Sequence, residues 1–325
     1  MIRKFKMDNF NQYKKHRILI LKGTRTQNEY VDNDDMYIQV NPFAKHLRKL
    51  HEHIPIPFKE IWYANWKKRI REYDVIIIFD ALRGRDIIQY IHKANPFARI
   101  IIYYINKFKQ GARNDLGHFR ELPCELWSFD KNDCERAGMK FNHFCYEDAF
   151  YEENKDAFYN KENAGPILYD AFFIGVDKNR LPTLIRLKAL MEKYHYRTKI
   201  IIKKDNHGSY KHLSDEEKSI LIEKSIQYKD IIKYIHQSKS IIEIQYSDQN
   251  GLTLRAMESL FFKKKLITDN LDIINYDFYK RENIFLLGQD PEKCLETFLS
   301  SPYEPVDDDI IKQYTWEAWL ERFFQ

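Results

Sequence analysis

The residues best suited to chemistry lie in one stretch, residues 245–260, where a polar turn containing Gly251 precedes a helical pattern that contains Glu258. A diphosphate is bound well by backbone N–H groups at the positive end of a helix dipole, and glycine lets the backbone approach closely. Glu258 lies about a turn and a half into the helix, at ~1.5 Å per residue, where a carboxylate could accept both hydroxyls of a ribose. Alternatively, Gly251 is an ordinary loop glycine and Glu258 is a solvated helix residue.

A second candidate group follows the apolar segment 172–174, where Gly175 precedes Lys178 and Arg180 at the start of a helical pattern. Cations and N–H groups at the end of a strand can neutralise a leaving nucleoside diphosphate. The planar guanidinium of Arg180 suits phosphate oxygens better than the ammonium of Lys178. A capped helix with exposed basic residues is the alternative.

Three aspartates of the first half are candidate general bases, because each follows an apolar strand pattern. Asp80 comes directly after segment 75–79, whereas Asp34 and Asp35 end a predicted polar loop, residues 22–35. The same half supplies candidate acceptor-binding residues in loops: Arg83, Arg85 and His118. Capping and solvated side chains would explain these positions as well.

No metal site is predicted. Residues 32–34 resemble an Asp-x-Asp metal motif, but only one strand precedes them, whereas that motif needs a nucleotide-binding sheet before it.

The elements that must position these residues alternate between apolar strands and helical patterns, which is typical of parallel sheets covered on both faces. Ligands of such sheets bind at the carboxyl ends of the strands. The predicted strands are 18–21, 61–63, 75–79, 100–104, 126–129, one starting at 141, 172–174, 200–202, 241–244, 266–268 and 284–287. The predicted helices are 42–50, 66–72, 87–92, 131–138, 181–193, 228–237, 291–299 and 307–324.

Composition excludes several classes. The chain has 325 residues, 44% hydrophobic and 15% aromatic, which favours a folded protein of two domains. The four cysteines lack Cys-x-x-Cys spacing, and the N-terminus lacks the apolar core of a secretory signal, so a reducing cytoplasm is expected. A net charge of +5 is too small to argue for nucleic acid. The Gly-x-Ser-x-Gly, Gly-x-Gly-x-x-Gly and P-loop motifs are missing, which argues against hydrolase, dehydrogenase and P-loop classes.

Residues 249–260, followed by 264–270, resemble the donor-site segment of GT-B glycosyltransferases from bacterial polysaccharide and lipopolysaccharide biosynthesis. The resemblance implies that Glu258 binds the donor ribose and that Arg255 contacts phosphate or holds the loop. It implies a donor site built from Tyr246, Gln249, Asn250, Gly251, Leu252 and Thr253, the last three around the diphosphate. Many such enzymes carry a second glutamate earlier in this region, where this chain has residues 246–248.

The same resemblance implies an α/β fold of two Rossmann-like doubly wound domains facing each other across a cleft. Residues 1–160 would bind the acceptor, residues 161–305 the donor, and a helix in 306–325 would cross back to the N-terminal domain. The implied activity is metal-independent transfer of a sugar from a nucleotide-diphosphate sugar to a hydroxyl of a capsule, lipopolysaccharide or exopolysaccharide precursor, with no cofactor. A non-catalytic nucleotide-sugar or glycan-binding scaffold and a GT-B epimerase or phosphoglycerol-type transferase are the alternatives.

The expected partners are the nucleotide-sugar donor and a glycan or lipid-linked glycan acceptor, and no nucleic acid. The basic N-terminal segment, residues 3–17, either contacts the inner membrane face or is a disordered basic end.

Overall fold

The computed structural model describes residues 11–21, 28–54, 56–79, 85–108, 110–111, 115–146, 165–206, 208–246 and 251–325. It divides into two compact units. Of the described residues, 11–146 and 316–325 belong to the N-terminal unit and 165–315 belong to the C-terminal unit. The predicted boundary at residues 160 and 161 lies outside the described residues, and residues 306–315 belong to the C-terminal unit.

The N-terminal unit is built on a six-stranded, all-parallel sheet of order β2-β1-β3-β4-β5-β6. Its strands are β1 (Ile18–Leu21), β2 (Val31–Asp34), β3 (Val75–Phe79), β4 (Arg99–Tyr104), β5 (Glu125–Ser128) and β6 (Lys140–Phe141). The α-helices of its first 149 residues are α1 (Pro42–His53), α2 (Arg85–Ala94) and α3 (Lys131–Ala137). Short 3-10 helices span Gln12–Lys15, Lys59–Trp62, Asn65–Glu72 and Leu116–His118.

The helix ends follow local sequence chemistry. The Asn41 side chain accepts from the Ala44 N–H at 2.8 Å, and Pro42 occupies the first turn of α1, where no N–H is needed. Asp130 caps α3 through the Asp133 N–H at 3.1 Å, and Gly138 ends the helix in the left-handed conformation. The predicted bounds of α3 are therefore confirmed.

The C-terminal unit contains a second six-stranded parallel sheet, of order β12-β11-β10-β7-β8-β9. Its strands are β7 (Tyr169–Val176), β8 (Thr198–Lys203), β9 (Leu221–Ile222), β10 (Ser238–Glu243), β11 (Lys265–Thr268) and β12 (Ile284–Leu286). Its helices are α4 (Leu181–Lys193), α5 (Asp215–Lys218), α6 (Tyr228–His236), α7 (Leu254–Phe261), α8 (Leu295–Ser300) and α9 (Asp308–Lys312), with 3-10 helices at Leu271–Asn275 and Glu292–Cys294. Two doubly wound α/β units are what the sequence predicted.

The last helix, α10 (Trp316–Glu321), continues into a 3-10 helix, Arg322–Phe324, and packs on one face of the N-terminal sheet. Trp319 lies 5.3 Å from Phe79 and 5.1 Å from Tyr103, ring centroid to centroid. Phe323 lies 4.9 Å from Trp127. The opposite face of the sheet packs against a separate core that contains residues of α2 and α3. The C-terminal helix that was expected to cross back therefore covers much of one face of this sheet.

Some predicted elements differ in the structure. Residues 61–63 are not a strand, because Lys59–Trp62 forms a 3-10 helix after Phe58, whose φ of 66° is left-handed. The predicted loop 22–35 contains edge strand β2. This strand was missed because its acidic residues do not form an apolar strand pattern. The single helix predicted over 307–324 is broken between α9 and α10: Tyr314 packs on Phe278 of the C-terminal unit, and Trp316 packs in the N-terminal unit. Helix α5 and strand β9 are short and were not predicted.

A buried carboxylate fastens α10 to the beginning of the described chain. The Glu321 side chain is fully buried and accepts backbone N–H bonds from Asn11, Gln12 and Tyr13 at 3.1, 2.9 and 3.3 Å. These are the N–H groups at the start of the 3-10 helix Gln12–Lys15, which has no side-chain cap of its own. Glu321 therefore caps that helix from the other end of the sequence.

We expect Glu321→Ala to lower the free energy of unfolding of the N-terminal unit by roughly 2 kcal/mol, because it leaves three backbone donors, one of them on buried Tyr13, without their acceptor. Urea unfolding followed by tryptophan fluorescence measures this loss, since Trp316 and Trp319 lie in the same core. Glu135→Ala, at an exposed position of α3 in the same unit, is the control. Equal stability of the two variants would contradict the capping role.

Candidate functional site

Strands β7 and β10 are neighbours at the centre of the C-terminal sheet, and the chain leaves them in opposite directions. From β7 it continues to β8 and β9 on one side, and from β10 to β11 and β12 on the other. This is a topological switch point, where ligands of open α/β sheets bind at the carboxyl ends of the strands. The two segments that follow these strands contain the donor-site residues predicted from the sequence.

Arg180 joins the two segments. Its Nη1 donates to the Ile244 carbonyl at 3.1 Å, Nε donates to the Asp177 carbonyl at 3.2 Å, and Nη2 donates to the Val176 carbonyl. Three of the five N–H donors of the Arg180 guanidinium are thus bonded to backbone carbonyls at the ends of β7 and β10. Burial lowers the pKa of Arg180, an effect that nearby acids oppose. The group predicted to be the stronger phosphate ligand therefore also holds the loop in place.

Gly175 provides the space for that guanidinium. A Cβ atom at this position would lie 2.7 Å from Arg180 Nη2 and 3.1 Å from the Phe173 ring. The Arg180 guanidinium also lies 5.3 Å from the centre of the Phe173 ring, a cation–π distance. The sequence placed Gly175 at the end of a strand, whereas the structure puts it inside β7 and shows which side chain requires it.

The turn between β7 and α4 is tight and held by acids. Lys178 and Asn179 have left-handed φ angles of 44° and 66°, which are unfavourable for side-chain-bearing residues. The Lys178 N–H donates to the Asp205 carboxylate at 2.8 Å. This turn leaves Lys178 exposed, with its ammonium 5.0 Å from the centre of the Tyr246 ring.

Asp177, Asp205 and Tyr210 form a network that the sequence did not reveal. Asp177 Oδ1 accepts from the Leu181 N–H at 2.9 Å, and so caps α4, while Oδ2 accepts from the Tyr210 hydroxyl at 2.8 Å. The Tyr210 hydroxyl also accepts from the Asp205 N–H at 3.1 Å. The sequence offered one signal for this network. Asp177 lies four residues before Leu181, where a helical pattern begins.

The start of α7 rests on a buried glutamate. Thr253 is the N-cap of α7, and its hydroxyl accepts from the Arg255 N–H at 3.1 Å and donates to Glu243. The second Glu243 oxygen accepts from the Thr268 hydroxyl at 2.6 Å. Burial raises the pKa of Glu243, and the two threonine hydrogen bonds oppose this. An acid inside the apolar run 241–244 was a visible signal that sequence reasoning passed over.

Helix α7 presents the features of an anion site. Thr253 satisfies one N–H of its first turn, and the Leu254 and Ala256 N–H groups have no acceptor among the described residues. Gly251 and Leu252 are buried directly before it, and the Gly251 carbonyl accepts from the Gln245 side chain at 3.3 Å. Gln245 is in turn held by its N–H to Asp269 at 2.7 Å.

Glu258 is fully buried in α7, and its Oε2 pairs with the Arg255 guanidinium. Oε1 has no hydrogen-bond partner of good geometry, although the Tyr228 hydroxyl is close enough to lower the pKa. Burial outweighs Arg255 and Tyr228 and raises the pKa of Glu258 to about 7. The structure thus pairs Arg255 with the carboxylate that was predicted to bind ribose, and leaves one acceptor oxygen of that carboxylate unused.

The candidates of the N-terminal unit are placed apart. The Asp34 carboxylate accepts from the Trp66 and Asp35 N–H groups, both at 2.8 Å, and so holds the 3-10 helix Asn65–Glu72. Asp35 accepts from the Gln39 side chain at 3.0 Å. Arg85 and His118 are exposed, at the start of α2 and the end of a 3-10 helix. Within the described part of the chain, no hydrogen bond or ion pair joins Arg85 and His118 to each other or to these two aspartates.

Asp80, Arg83, Gln249 and Asn250 lie outside the described residues. In the ranges that are described, no group of three or more His, Cys, Asp or Glu side chains is arranged to hold a metal ion. None of the helices in those ranges combines the length and apolar character needed to cross a bilayer.

Comparisons with known proteins bear on the fold. No protein-family model matches the chain, and no curated protein is detectably similar to it in sequence. Among solved structures, AviGT4, a glycosyltransferase involved in avilamycin A biosynthesis, has a TM-score of 0.50 at 8% identity, over 80% of this chain and 75% of its own.

Two further structures score lower. A glycosyltransferase from Rickettsia africae has a TM-score of 0.48 at 11% identity, over 94% of this chain and 88% of its own. A UDP-GlcNAc 2-epimerase from Neisseria meningitidis, bound to UDP-GlcNAc, has a TM-score of 0.42 at 11% identity, over 94% of this chain and 98% of its own. Both TM-scores lie below 0.5, so neither similarity establishes a shared fold. The AviGT4 similarity, with the two sheets described above, confirms the predicted GT-B fold class of two Rossmann-like units, and at 8% identity it establishes the fold alone.

We expect Gly175→Ala to destabilise the C-terminal unit by about 1–3 kcal/mol, because the added methyl group displaces the Arg180 guanidinium from the strand-end carbonyls. Thermal unfolding measures this. Gly117→Ala is the matched control, since its Cβ would meet only Asp115, at 3.4 Å. In combination with Arg180→Met, the cost of Gly175→Ala should shrink, and strictly additive losses would show that the clash is not with Arg180.

The raised pKa of Glu258 predicts a pH dependence of stability. Between its ordinary value of 4.5 and the folded value of about 7, the folded state binds more protons than the unfolded state, so stability falls as pH rises through this window. Glu258→Gln removes this slope and should gain up to about 3 kcal/mol relative to wild type between pH 5 and pH 8. Glu296→Gln, at an exposed position, is the control for urea unfolding across pH. Parallel profiles for wild type and Glu258→Gln would refute a raised pKa of Glu258 in the folded state.

Proposed function

We propose that this protein is a glycosyltransferase that uses a nucleotide-diphosphate sugar as donor. The observation that carries the proposal is the convergence at the β7/β10 switch point. An exposed cation, a helix start with unused N–H groups and a buried carboxylate with one unused oxygen are assembled there. These three groups match the charges and hydroxyls of a nucleoside diphosphate.

In this proposal the diphosphate is held by the start of α7, residues 251–256, and by Lys178. The exposed Lys178 ammonium above the Tyr246 ring has the freedom to meet phosphate oxygens. Arg180 adds positive charge and two remaining N–H donors from beneath the loop. Gln249 and Asn250 belong to the same proposed donor site on the strength of the sequence resemblance.

Glu258 is the proposed ribose ligand, through Oε1. Because Glu258 has no solvent exposure, a ribose hydroxyl reaches this oxygen only if donor binding is accompanied by a local movement. Arg255 is the natural element to move, since its guanidinium covers the other oxygen of the same carboxylate. Arg255 could then pair with a phosphate in place of Glu258. It would have a structural role without the donor and a phosphate-binding role with it, the two alternatives that the resemblance left open.

The acceptor is proposed to be a hydroxyl of a glycan, of the bacterial surface type and lipid-linked, which rests on the sequence resemblance. Asp80 is preferred as general base. The carboxylates of Asp34 and Asp35 are already engaged with backbone N–H groups and with Gln39. Arg83, Arg85 and His118 stay proposed acceptor contacts, and protein cations with the α7 start are proposed to stabilise the leaving group without a metal.

A non-catalytic nucleotide-sugar-binding scaffold is the second candidate. Its support is Glu243, the glutamate that precedes the donor segment, because both of its oxygens are bound by threonine hydroxyls and not available to a transferred sugar. Hydrolysis of a bound donor in the absence of acceptor separates the candidates, because a transferase releases free sugar slowly and a scaffold releases none.

We expect one nucleoside diphosphate among UDP, GDP, ADP and TDP to stabilise the protein, by roughly 2.7 kcal/mol at about 100 times its Kd. Glu258→Ala should weaken that nucleotide by about tenfold or more, since it removes charge-assisted hydrogen bonds to the ribose. Lys178→Met should weaken the diphosphate while leaving binding of the parent nucleoside unchanged. Isothermal titration measures both effects.

The matched controls are Glu296→Ala and Lys193→Met, at exposed positions of the same unit. Wild-type affinity in a folded Glu258→Ala variant would disprove the ribose assignment. A wild-type protein that binds no nucleotide or nucleotide sugar would disprove the donor site as a whole.

A further inference from the structure

Helix α1 turns its apolar side to solvent and its charged side to the protein. Phe43, Leu47, Leu50 and Ile54 follow spacings of four, three and four residues, which places them on one face. These four side chains are between 42% and 72% exposed. In a helix that served only to cover the sheet, this face would be buried.

The opposite, polar side of α1 makes the contacts with the N-terminal unit. The Arg48 guanidinium stacks 3.9 Å above the Tyr37 ring and pairs with Glu52 at 3.3 Å. His51 accepts from the Trp62 indole N–H at 2.9 Å, and its other ring nitrogen lies 3.0 Å from the Pro57 carbonyl. The outward orientation of the apolar face is therefore fixed by specific polar contacts.

Further exposed apolar side chains follow the helix in the chain. Ile56, Phe58 and Ile61, in the segment that follows α1, are between 50% and 68% exposed. Phe58 is held outward by its left-handed backbone, at φ 66°. We name the seven residues together the α1 patch: Phe43, Leu47, Leu50, Ile54, Ile56, Phe58 and Ile61. Monomeric proteins expose a contiguous apolar surface of this kind mainly where it binds something.

The exposed charges on the helical part of the α1 patch are basic, whereas the segment after the helix adds Glu60 and the Lys59–Asp86 ion pair. Lys45 and Lys49 are exposed on the same helix, whose only acid, Glu52, points inward and pairs with Arg48. An apolar helix face with lysines along its side matches a bilayer surface, where acyl chains accept the apolar groups and anionic headgroups attract the ammonium groups. A second copy of the chain would instead bring lysines against lysines.

We propose that the α1 patch docks this protein on an anionic lipid surface. Phe43, Leu47 and Leu50 enter the boundary between headgroups and acyl chains, while Lys45 contacts lipid phosphates. The site differs from the basic N-terminal segment that the sequence suggested for membrane contact. Docking requires no nucleotide, so it stands or falls independently of the proposed transferase activity.

Vesicle flotation of the full chain tests this proposal. Wild type should float with vesicles of phosphatidylcholine mixed with phosphatidylglycerol, less with phosphatidylcholine alone, and less at high salt. Phe43→Ser/Leu50→Ser should weaken binding by about tenfold or more. Lys45→Glu should weaken binding to the anionic vesicles only.

Matched controls are available on the same chain. Phe97→Ser/Ile274→Ser changes two side chains that are 96% and 50% exposed away from the patch, and Lys193→Glu changes net charge equally at an exposed position. Both should float as wild type does, and all variants should unfold at the wild-type temperature.

The proposal is overturned if wild type does not float with anionic vesicles, or if Phe43→Ser/Leu50→Ser floats as wild type does. It is also overturned if sedimentation shows a wild-type dimer that this double variant converts to monomer without any change in flotation, because the patch would then join two copies of the chain.

Discussion

A parallel sheet has two apolar faces, and both must be buried. In the N-terminal unit, helices of its own first 149 residues cover one face, and α10 with the following 3-10 helix covers much of the other. The Trp316, Trp319 and Phe323 rings complete that second core, and Glu321 and Arg99 anchor the segment through backbone N–H and carbonyl groups. The architecture of this unit thus depends on a segment separated from it by the whole C-terminal unit.

The candidate site of the C-terminal unit follows a different principle, in which buried charge holds loops in position. Arg180 ties the ends of β7 and β10 together, and Glu243 ties the start of α7 to the end of β11. Both groups are costly to bury, and both are offset by hydrogen bonds to fixed partners. Glu258 differs, since its Oε1 lacks a hydrogen-bond partner of good geometry and burial raises the pKa of the carboxyl group to about 7.

Much of the fold could be predicted, because apolar runs such as 75–79 and 241–244 can only be buried strands, and Asp130 and Gly138 are strong helix boundaries. The break between α9 and α10 could not be predicted, because it depends on Tyr314 and Trp316 belonging to different units. The sequence also predicted helix α7, with Thr253 at its start, after strand β10. It could not show that Arg180 turns toward backbone carbonyls, or that Asp177, Asp205 and Tyr210 meet, because those contacts join residues far apart in the chain.

The position of α10 has a consequence for biosynthesis. Residues 316–324 leave the ribosome after every strand of both sheets has been made, so the second face of the N-terminal sheet stays uncovered throughout translation of the C-terminal unit. During that interval the nascent chain exposes Ile18, Ile20, Ile77 and Ile101 on that face. The core on this face is completed only after α10 has been made, and chaperone binding to the nascent chain should be concentrated there until then.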